Sequence, residues 1–214
     1  MVAKIAIAQI QLQEGQRIVL DGINWSEFVS ILEDLGERRR ARIAYYQGVL
    51  EIRMPLPEHE RYKVLISHLL VILLDELGLE WESLGSSTFK RQRMQAGLEP
   101  DDCFYIQNYR AMIGKKRLDL EVDPVPDLAI EIDVTSKTQL SAYKALGVTE
   151  IWQLKNGKLE INLLQQGKYI SSPTSQIFPS IPVVEGISLF LDRSTEIPLS
   201  ALRREFRLWL KDKL

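Results

Sequence analysis

Apolar and polar positions change their period several times along this chain, and each change marks an element. Residues 4–12 and 16–20 carry alternating or β-branched apolar positions, which predicts two edge strands. Asn24 or Ser26 then caps a short helix in which Phe28, Ile31, Leu32 and Leu35 share one side and Gly36 ends it. The segments 42–46 and 49–54 alternate around Gln47-Gly48, the signature of a β hairpin, and Pro55 and Pro57 stop it. From about Glu58 to Leu77 the helical period returns, apolar nearly all round between Val64 and Leu74, so the longest helix should lie buried against a sheet and close at Gly78. Residues 80–91 and 102–107 read as strands, and 108–125 as a polar connection turning at Gly114. Leu128 to Val134 is an apolar run broken only by Glu131 and Asp133, the pattern of a central strand covered on both faces. A helix over 137–146, a strand at 150–154, a turn at Asn156-Gly157 and a strand at 159–163 follow, and Ser200 caps a last helix whose Leu202, Phe206 and Trp209 share a face.

With 214 residues, 45% hydrophobic and 26% charged, the chain has the size and balance of one folded domain with a sizeable core. A net charge of −2 decides nothing about nucleic acid, because local patches matter more than the sum. The lone Cys103 excludes an internal disulfide and fits a reducing compartment, and no stretch has the length of a membrane span or the form of a signal peptide, so the expected location is the cytosol.

Chemistry concentrates in two acidic tips, Glu99-Pro100-Asp101-Asp102 and Asp127-Leu128-Ala129-Ile130-Glu131-Ile132-Asp133. Pro100 restrains the entry of Asp101 into a strand. Glu131, between Ile130 and Ile132, should be nearly buried, where a bare charge must neutralise or find a partner. The residues alone leave two readings open, a divalent metal held by Asp101 and Glu131 or a buried ion pair with an arginine such as Arg93. Downstream, Gln139 and Tyr143 stand at i and i+4 on one helix face, with Lys137 just after the strand; these aim at the same site or are, more plainly, a solvated helix start and a core tyrosine. His59 opens the long helix, where surface is its bland alternative. His68 among Leu65, Leu69 and Ile72 reads as an interior or interface histidine, and Cys103 as a small hydrophobe. The basic runs Arg38-Arg39-Arg40-x-Arg42, Lys90-Arg91-x-Arg93 and Lys115-Lys116-Arg117 track a phosphate backbone only if they share the face of the acidic pair; otherwise they are solvated surface.

In this order, Asn24-Trp25-Ser26, the hairpin run from Tyr46 to Pro55, Glu58-His59, Glu99-Pro100-Asp101, the run from Pro126 to Asp133, and Tyr143 with Gly147-Val148-Thr149-Glu150-Ile151-Trp152 resemble the PD-(D/E)XK nuclease superfamily, and more closely its Uma-two family of restriction-endonuclease-like proteins. The resemblance covers nearly the whole chain. It implies a single α/β domain over 1–214, a restriction-endonuclease-like mixed central sheet flanked by helices with peripheral β hairpins, divided into N-terminal elements (1–55), a nuclease-like core (56–155) and a C-terminal hairpin and helix (156–214). It implies an endonuclease that hydrolyses DNA with Mg²⁺ or Mn²⁺, the metal on Asp101 and Glu131, and Lys137, Gln139, Tyr143 and His59 completing the site. DNA is the expected partner, a homodimer a compatible assembly, and a membrane is not expected. The chain departs from the superfamily pattern two residues after Glu131, where Asp133 stands in place of a lysine and Lys137 is the nearest substitute. The alternative is a catalytically weak or inactive relative that keeps the fold to bind DNA or a protein. A small-molecule metallohydrolase would need a narrow closed pocket.

Overall fold

Alternation of inward and outward side chains builds two sheets, and one of the passages between them runs through Asp101, from Leu98 in the first to Asp102 in the second. The computed structural model describes residues 7–36, 39–134 and 138–214. Strand β1 (Arg17–Leu20) is followed by α1 (Trp25–Leu35), whose N-cap Asn24 accepts from the Glu27 N–H while Glu27 reaches back to the Asn24 N–H, a complete capping box. Strands β2 (Arg42–Tyr46) and β3 (Val49–Arg53) form the expected hairpin, with Gln47 and Gly48 both at positive φ as a two-residue turn of this twist requires. Helix α2 (Pro57–Glu76) starts behind Leu56 with its proline in the first turn, where a missing N–H costs nothing. Then come β4 (Glu82–Ser83), β5 (Phe89–Arg91), β6 (Ala96–Leu98), β7 (Asp102–Tyr105), the short α3 (Tyr109–Met112), β8 (Leu128–Asp133), α4 (Leu140–Leu146), β9 (Glu150–Lys155), β10 (Lys158–Gln165), β11 (Lys168–Ser172), α5 (Val183–Arg193) and α6 (Leu199–Lys211).

The first sheet has the order β1-β3-β2-β6-β5 and is antiparallel throughout; the second has the order β11-β10-β9-β8-β7-β4, with β8 and β9 parallel and every other pair antiparallel. Only a crossover can join parallel neighbours, and α4 supplies it. Three cores result. Leu50, Ile43 and Tyr45 pack the outer face of the first sheet on Phe28 and Leu32 of α1, with the Phe28 and Tyr45 rings stacked at 4.4 Å. A Cβ at Gly97 would meet the Phe28 ring at 2.6 Å, so only glycine lets α1 approach β6. Leu98, Cys103, Ala129, Ile151 and the α4 residues Ala142, Tyr143 and Leu146 fill the space between the sheets. Leu128, Ile130, Ile132, Trp152 and Ile161 pack the far face of the second sheet on α2, α5 and α6.

A mixed sheet flanked by helices with peripheral hairpins is thus what forms, with several departures from the sequence pattern. Residues 4–6 lie outside the described residues, and Ile7–Gln9 is a 3-10 turn where a strand is predicted, because alternation without a neighbouring strand leaves the backbone groups unpaired. The predicted strand over 80–91 is broken into β4 and β5, which belong to different sheets, and β7 stops at Tyr105, where Asp127 takes over the next N–H groups. Strands β6 and β11 and helix α5 go beyond the elements the pattern marks. Helix α6 begins behind Pro198 with no side-chain cap, so Ser200 does not cap it. Helix α4 starts at Leu140, with Gln139 at its N-cap.

Candidate functional site

Strand β8 sorts its side chains by parity. Leu128, Ile130 and Ile132 face α2, so Ala129, Glu131 and Asp133 must face the first sheet and α4. Strand β3 does the same: Leu50 and Ile52 enter the core under α1, which turns Glu51 and Arg53 to the other face. The Pro100-Asp101 crossover lies between these two polar faces. The Asp101 N–H donates to the Ile130 carbonyl at 3.1 Å, and Asp101 Oδ2 accepts from the Ile132 N–H at 2.7 Å, so the carboxylate is fixed by the strand that carries Glu131.

The two carboxylates meet through an arginine. Arg53 Nη2 lies 2.9 Å from Glu131 Oε2 and 3.4 Å from Asp101 Oδ1. The Tyr143 hydroxyl donates to Glu131 Oε1 from α4. His59, in the first turn of α2, brings Nε2 to 3.0 Å from Asp101 Oδ2 and Nδ1 to 3.6 Å from Glu60 Oε1, yet both ring nitrogens are buried without an aligned hydrogen bond. Every oxygen of the acidic pair therefore has a protein donor or cation against it. Arg53, not Arg93, is the cation; Arg93 is an exposed residue 3.7 Å from Glu121. No three metal-ligating side chains converge among the described residues.

Burial and charge pull these groups in different directions. Burial works against an ionised Asp101, but Arg53, His59 and the Ile132 N–H outweigh it and hold its carboxyl below the usual range. For Glu131, burial dominates; Arg53 and the Tyr143 hydroxyl oppose it, the Asp101 charge adds to it, and the carboxyl is pushed up to about 7. Burial also acts against the Arg53 charge, and Glu131 and Asp101 overcome it, keeping the guanidinium charged. Tyr143 is raised by burial and then by Glu131, so its hydroxyl remains a donor.

Gln139 and Tyr143 line one cleft with Glu131, Arg42 and Arg53, a gap with room for about one water. Asp101, Glu131, Tyr143, Gln139 and His59 thus occupy one neighbourhood, while Lys137 lies outside the described residues. The remaining acids are held by backbone N–H groups and neutral side chains. Asp102 accepts from the Ser67 and Ser83 hydroxyls, Asp127 from the N–H groups of Ile106, Gln107 and Asn108, and Asp133 from the Thr138 N–H and hydroxyl and from Gln153. Cys103 is buried, and burial pushes its thiol up to about 12, which makes it inert. For the partly exposed His68, burial and then Arg203 disfavour the charged form.

Much of the basic sequence is used internally. Arg39 binds Glu99 and Thr88, Arg91 donates twice to the Leu120 carbonyl, and Lys115 holds Asp123 at 2.5 Å. Beside the site lies an open basin of about 410 Å³ lined by Arg39, Arg40, Arg42, Met54, Leu56 and Glu60, among others. Arg53 is the residue of this neighbourhood that sequence reasoning passed over. Its signal is the alternation Leu50-Glu51-Ile52-Arg53, which puts a charge on an inward-facing position of a hairpin covered on its other side.

No protein of curated function matches the chain. A crystal structure described as "a putative nuclease belonging to DUF820" from Anabaena variabilis is 15% identical and aligns over 86% of this chain and 99% of that one, with a TM-score of 0.47. A family model, Uma2, described as "Putative restriction endonuclease", matches residues 25–194, which takes in every strand but β1, the Pro100-Asp101 crossover and Glu131. The chain belongs to the Uma2 family.

Proposed function

We propose that this protein is a metal-dependent nuclease that hydrolyses DNA phosphodiester bonds at the Asp101–Glu131 pair. The observation that carries the reading is the convergence of two buried carboxylates at the C-terminal end of a central strand, beside a buried histidine whose ring nitrogens lack aligned partners. Such an arrangement is costly for stability alone and is typical of sites that take a ligand. Family membership supports the nuclease reading, since the family is described by that activity.

The donor types suit Mg²⁺ or Mn²⁺, and the occupied oxygens do not: the pair accepts a divalent ion once Arg53 Nη2 no longer stands against both carboxylates. Held by Asp101 and Glu131, such an ion supplies charge against the phosphate and a more acidic bound water. The chain's own groups do the rest. Ile132 N–H fixes the Asp101 carboxylate and Tyr143 the Glu131 carboxylate. His59 Nε2 stands 3.0 Å from Asp101 Oδ2, placed to orient that carboxylate or a water beside it. Gln139 lines the cleft as an amide that can donate to a phosphate oxygen, and Arg42, at its edge, adds positive charge on the side of the open basin. Lys137 takes the place of the lysine missing at Asp133 on the strength of its position in the sequence. All these residues come from one chain, so the proposal does not depend on a homodimer.

One observation favours a second reading, a nuclease fold that binds without cutting: Arg53 already stands against both carboxylates of the acidic pair. Nicking of supercoiled plasmid with Mg²⁺ or Mn²⁺ separates the two. The nuclease reading expects nicking by the wild type that falls to background in Asp101→Ala and Glu131→Ala; activity that persists in both variants overturns it, and a wild type that binds DNA without nicking it establishes the second.

A further inference from the structure

The open basin beside the acidic pair has a lining of two chemical kinds. Met54, Pro55, Leu56 and Pro57 form one continuous uncharged wall, stiffened by its two prolines, and Arg39, Arg40 and Arg42 come from the segment that leads into β2. We propose that this basin seats one unpaired nucleotide of a DNA strand, its base against the Met54–Pro57 wall and its phosphate against Arg40 and Arg42, so that the protein acts on unpaired DNA. This rests on the nuclease reading of the neighbouring acidic pair. A volume of about 410 Å³ is on the scale of a small-ligand site, whereas the cleft at Glu131 has room for about one water. A duplex keeps its bases stacked and shows only their edges in the grooves; an unpaired base offers a whole face to an apolar wall.

The arginines differ in how firmly they are held. Arg39 is committed to the buried Glu99 and to Thr88. Arg40 Nη2 is 3.0 Å from Glu14 Oε1, but the two side chains are 77% and 45% exposed, and such a surface pair is worth little in water. Arg42 is 13% exposed, and its Nε is buried without a hydrogen-bond partner among the described residues. The Glu60 Oε1 that balances it lies at 3.7 Å, beyond hydrogen-bond reach, and Glu60 is shared with Lys63. Arg40, Arg42 and Lys63 therefore set three positive charges against the two of Glu14 and Glu60. A phosphate supplies the pair of oxygens that suits the fork of a guanidinium. Placement links the basin to the acids: Arg42 lines both the basin and the Glu131 cleft, and Glu60 follows His59, whose Nε2 is 3.0 Å from Asp101 Oδ2. A nucleotide seated here brings the next phosphodiester of its strand to the acidic pair.

Binding in EDTA, without metal and so without cleavage, is the test. By fluorescence anisotropy, a labelled single strand of about twelve thymidines should bind at least about fivefold tighter than an abasic strand of the same length, the factor expected of one base laid on a protein wall. It should also bind tighter than the same strand paired with its complement. Arg40→Gln and Arg42→Gln should each weaken binding of the single strand and lower the slope of log affinity against log salt by about 0.7, the mark of one lost phosphate contact. Equal affinity for the intact and abasic strands, tighter binding of the duplex, an unchanged salt slope in Arg40→Gln, or no binding of any probe overturns the inference. If Arg42→Gln does not fold, the exposed Arg40 and the three probes decide. Failure of the nuclease reading looks different: the probes bind in this order, and the single strand stays intact when Mg²⁺ or Mn²⁺ is added.

Discussion

The two ends of the β8–β9 pair hold buried acids in opposite ways. At the end where both strands begin, Glu150 is 1% exposed and accepts from the Trp152 indole, the Ser175 hydroxyl and the Gln176 and Ile177 N–H groups, while Asp127 gathers the three N–H groups that follow β7. Their donors are largely backbone groups and neutral side chains, built into the chain and unable to leave. At the end where β8 finishes, Asp101 and Glu131 share one arginine, a charged side chain from the last residue of β3. A buried carboxylate tied by neutral donors is a staple; a pair tied by one shared cation is a candidate site. The difference also obeys the rule that ligands of open α/β sheets gather at the carboxyl ends of the strands.

The largest effects that could break this comparison are in stability. Replacing Glu150 with leucine strands a set of inward-facing donors and should cost about 3–5 kcal/mol in denaturant unfolding, unchanged by Mg²⁺. Arg53→Met should cost a similar amount in metal-free buffer, about 3–5 kcal/mol, because two buried charges lose their partner, and Mg²⁺ should return part of it. Equal insensitivity of both variants to Mg²⁺ would erase the distinction between staple and site. Removing the whole triad, as Arg53→Met with Asp101→Asn and Glu131→Gln, should cost less than removing Arg53 alone, since no unpaired charge remains.

A smaller effect follows pH. The folded carboxyl of Glu131 is raised from 4.5 to about 7, so its contribution to stability is complete below pH 4.5 and is lost as pH rises through 7. Metal-free wild type should therefore lose about 1–3 kcal/mol between pH 5 and 8 relative to Glu131→Gln, measured by unfolding in urea at each pH. Asp101 has the opposite sign. Its carboxyl is depressed, so its contribution is present above the ordinary aspartate range and disappears only as pH falls below that range. A stability curve parallel to that of Glu131→Gln from pH 5 to 8 would show that Glu131 is as ordinary as a surface acid. The smallest expected change is Tyr143→Phe, about 1 kcal/mol for one lost hydrogen bond to Glu131, with unfolding of the metal-free protein as the measurement.

Local signals were enough wherever one element carried its own evidence. The Gln47-Gly48 turn, the Asn24 cap, the apolar girth of α2 and the unbroken run of β8 each rest on residues close in sequence, and each element lies within a few residues of its expected place. Most of the failures share a cause. Ile7–Gln9 alternates without a partner strand, and the short β6 and β11 exist because of neighbours that no local window contains, whereas α5, with Val183, Ile187, Phe190 and Leu191 at helical spacing, carries a local signal that was passed over.

The same division runs through the site. The sequence singled out Asp101, Glu131, Gln139, Tyr143 and His59, the acids because a carboxylate inside an apolar strand is an anomaly and the others chiefly through the family resemblance, and the fold brings all five into one neighbourhood. Their chemistry was not legible there. Whether two buried carboxylates face a metal or an arginine depends on which cation tertiary packing places against them, and Arg53 stands 78 positions from Glu131 in the chain. Sequence alone set the strand parity, the acidic tips and the family; only the tertiary structure chose Arg53 over Arg93, turned Asp133 into a cap for Thr138, and spent Arg39 and Arg91 on internal bonds. Periodicity fixes which way a side chain points from its own backbone, whereas charge pairing is decided by distances across the fold, and those exist only once the sheets have met.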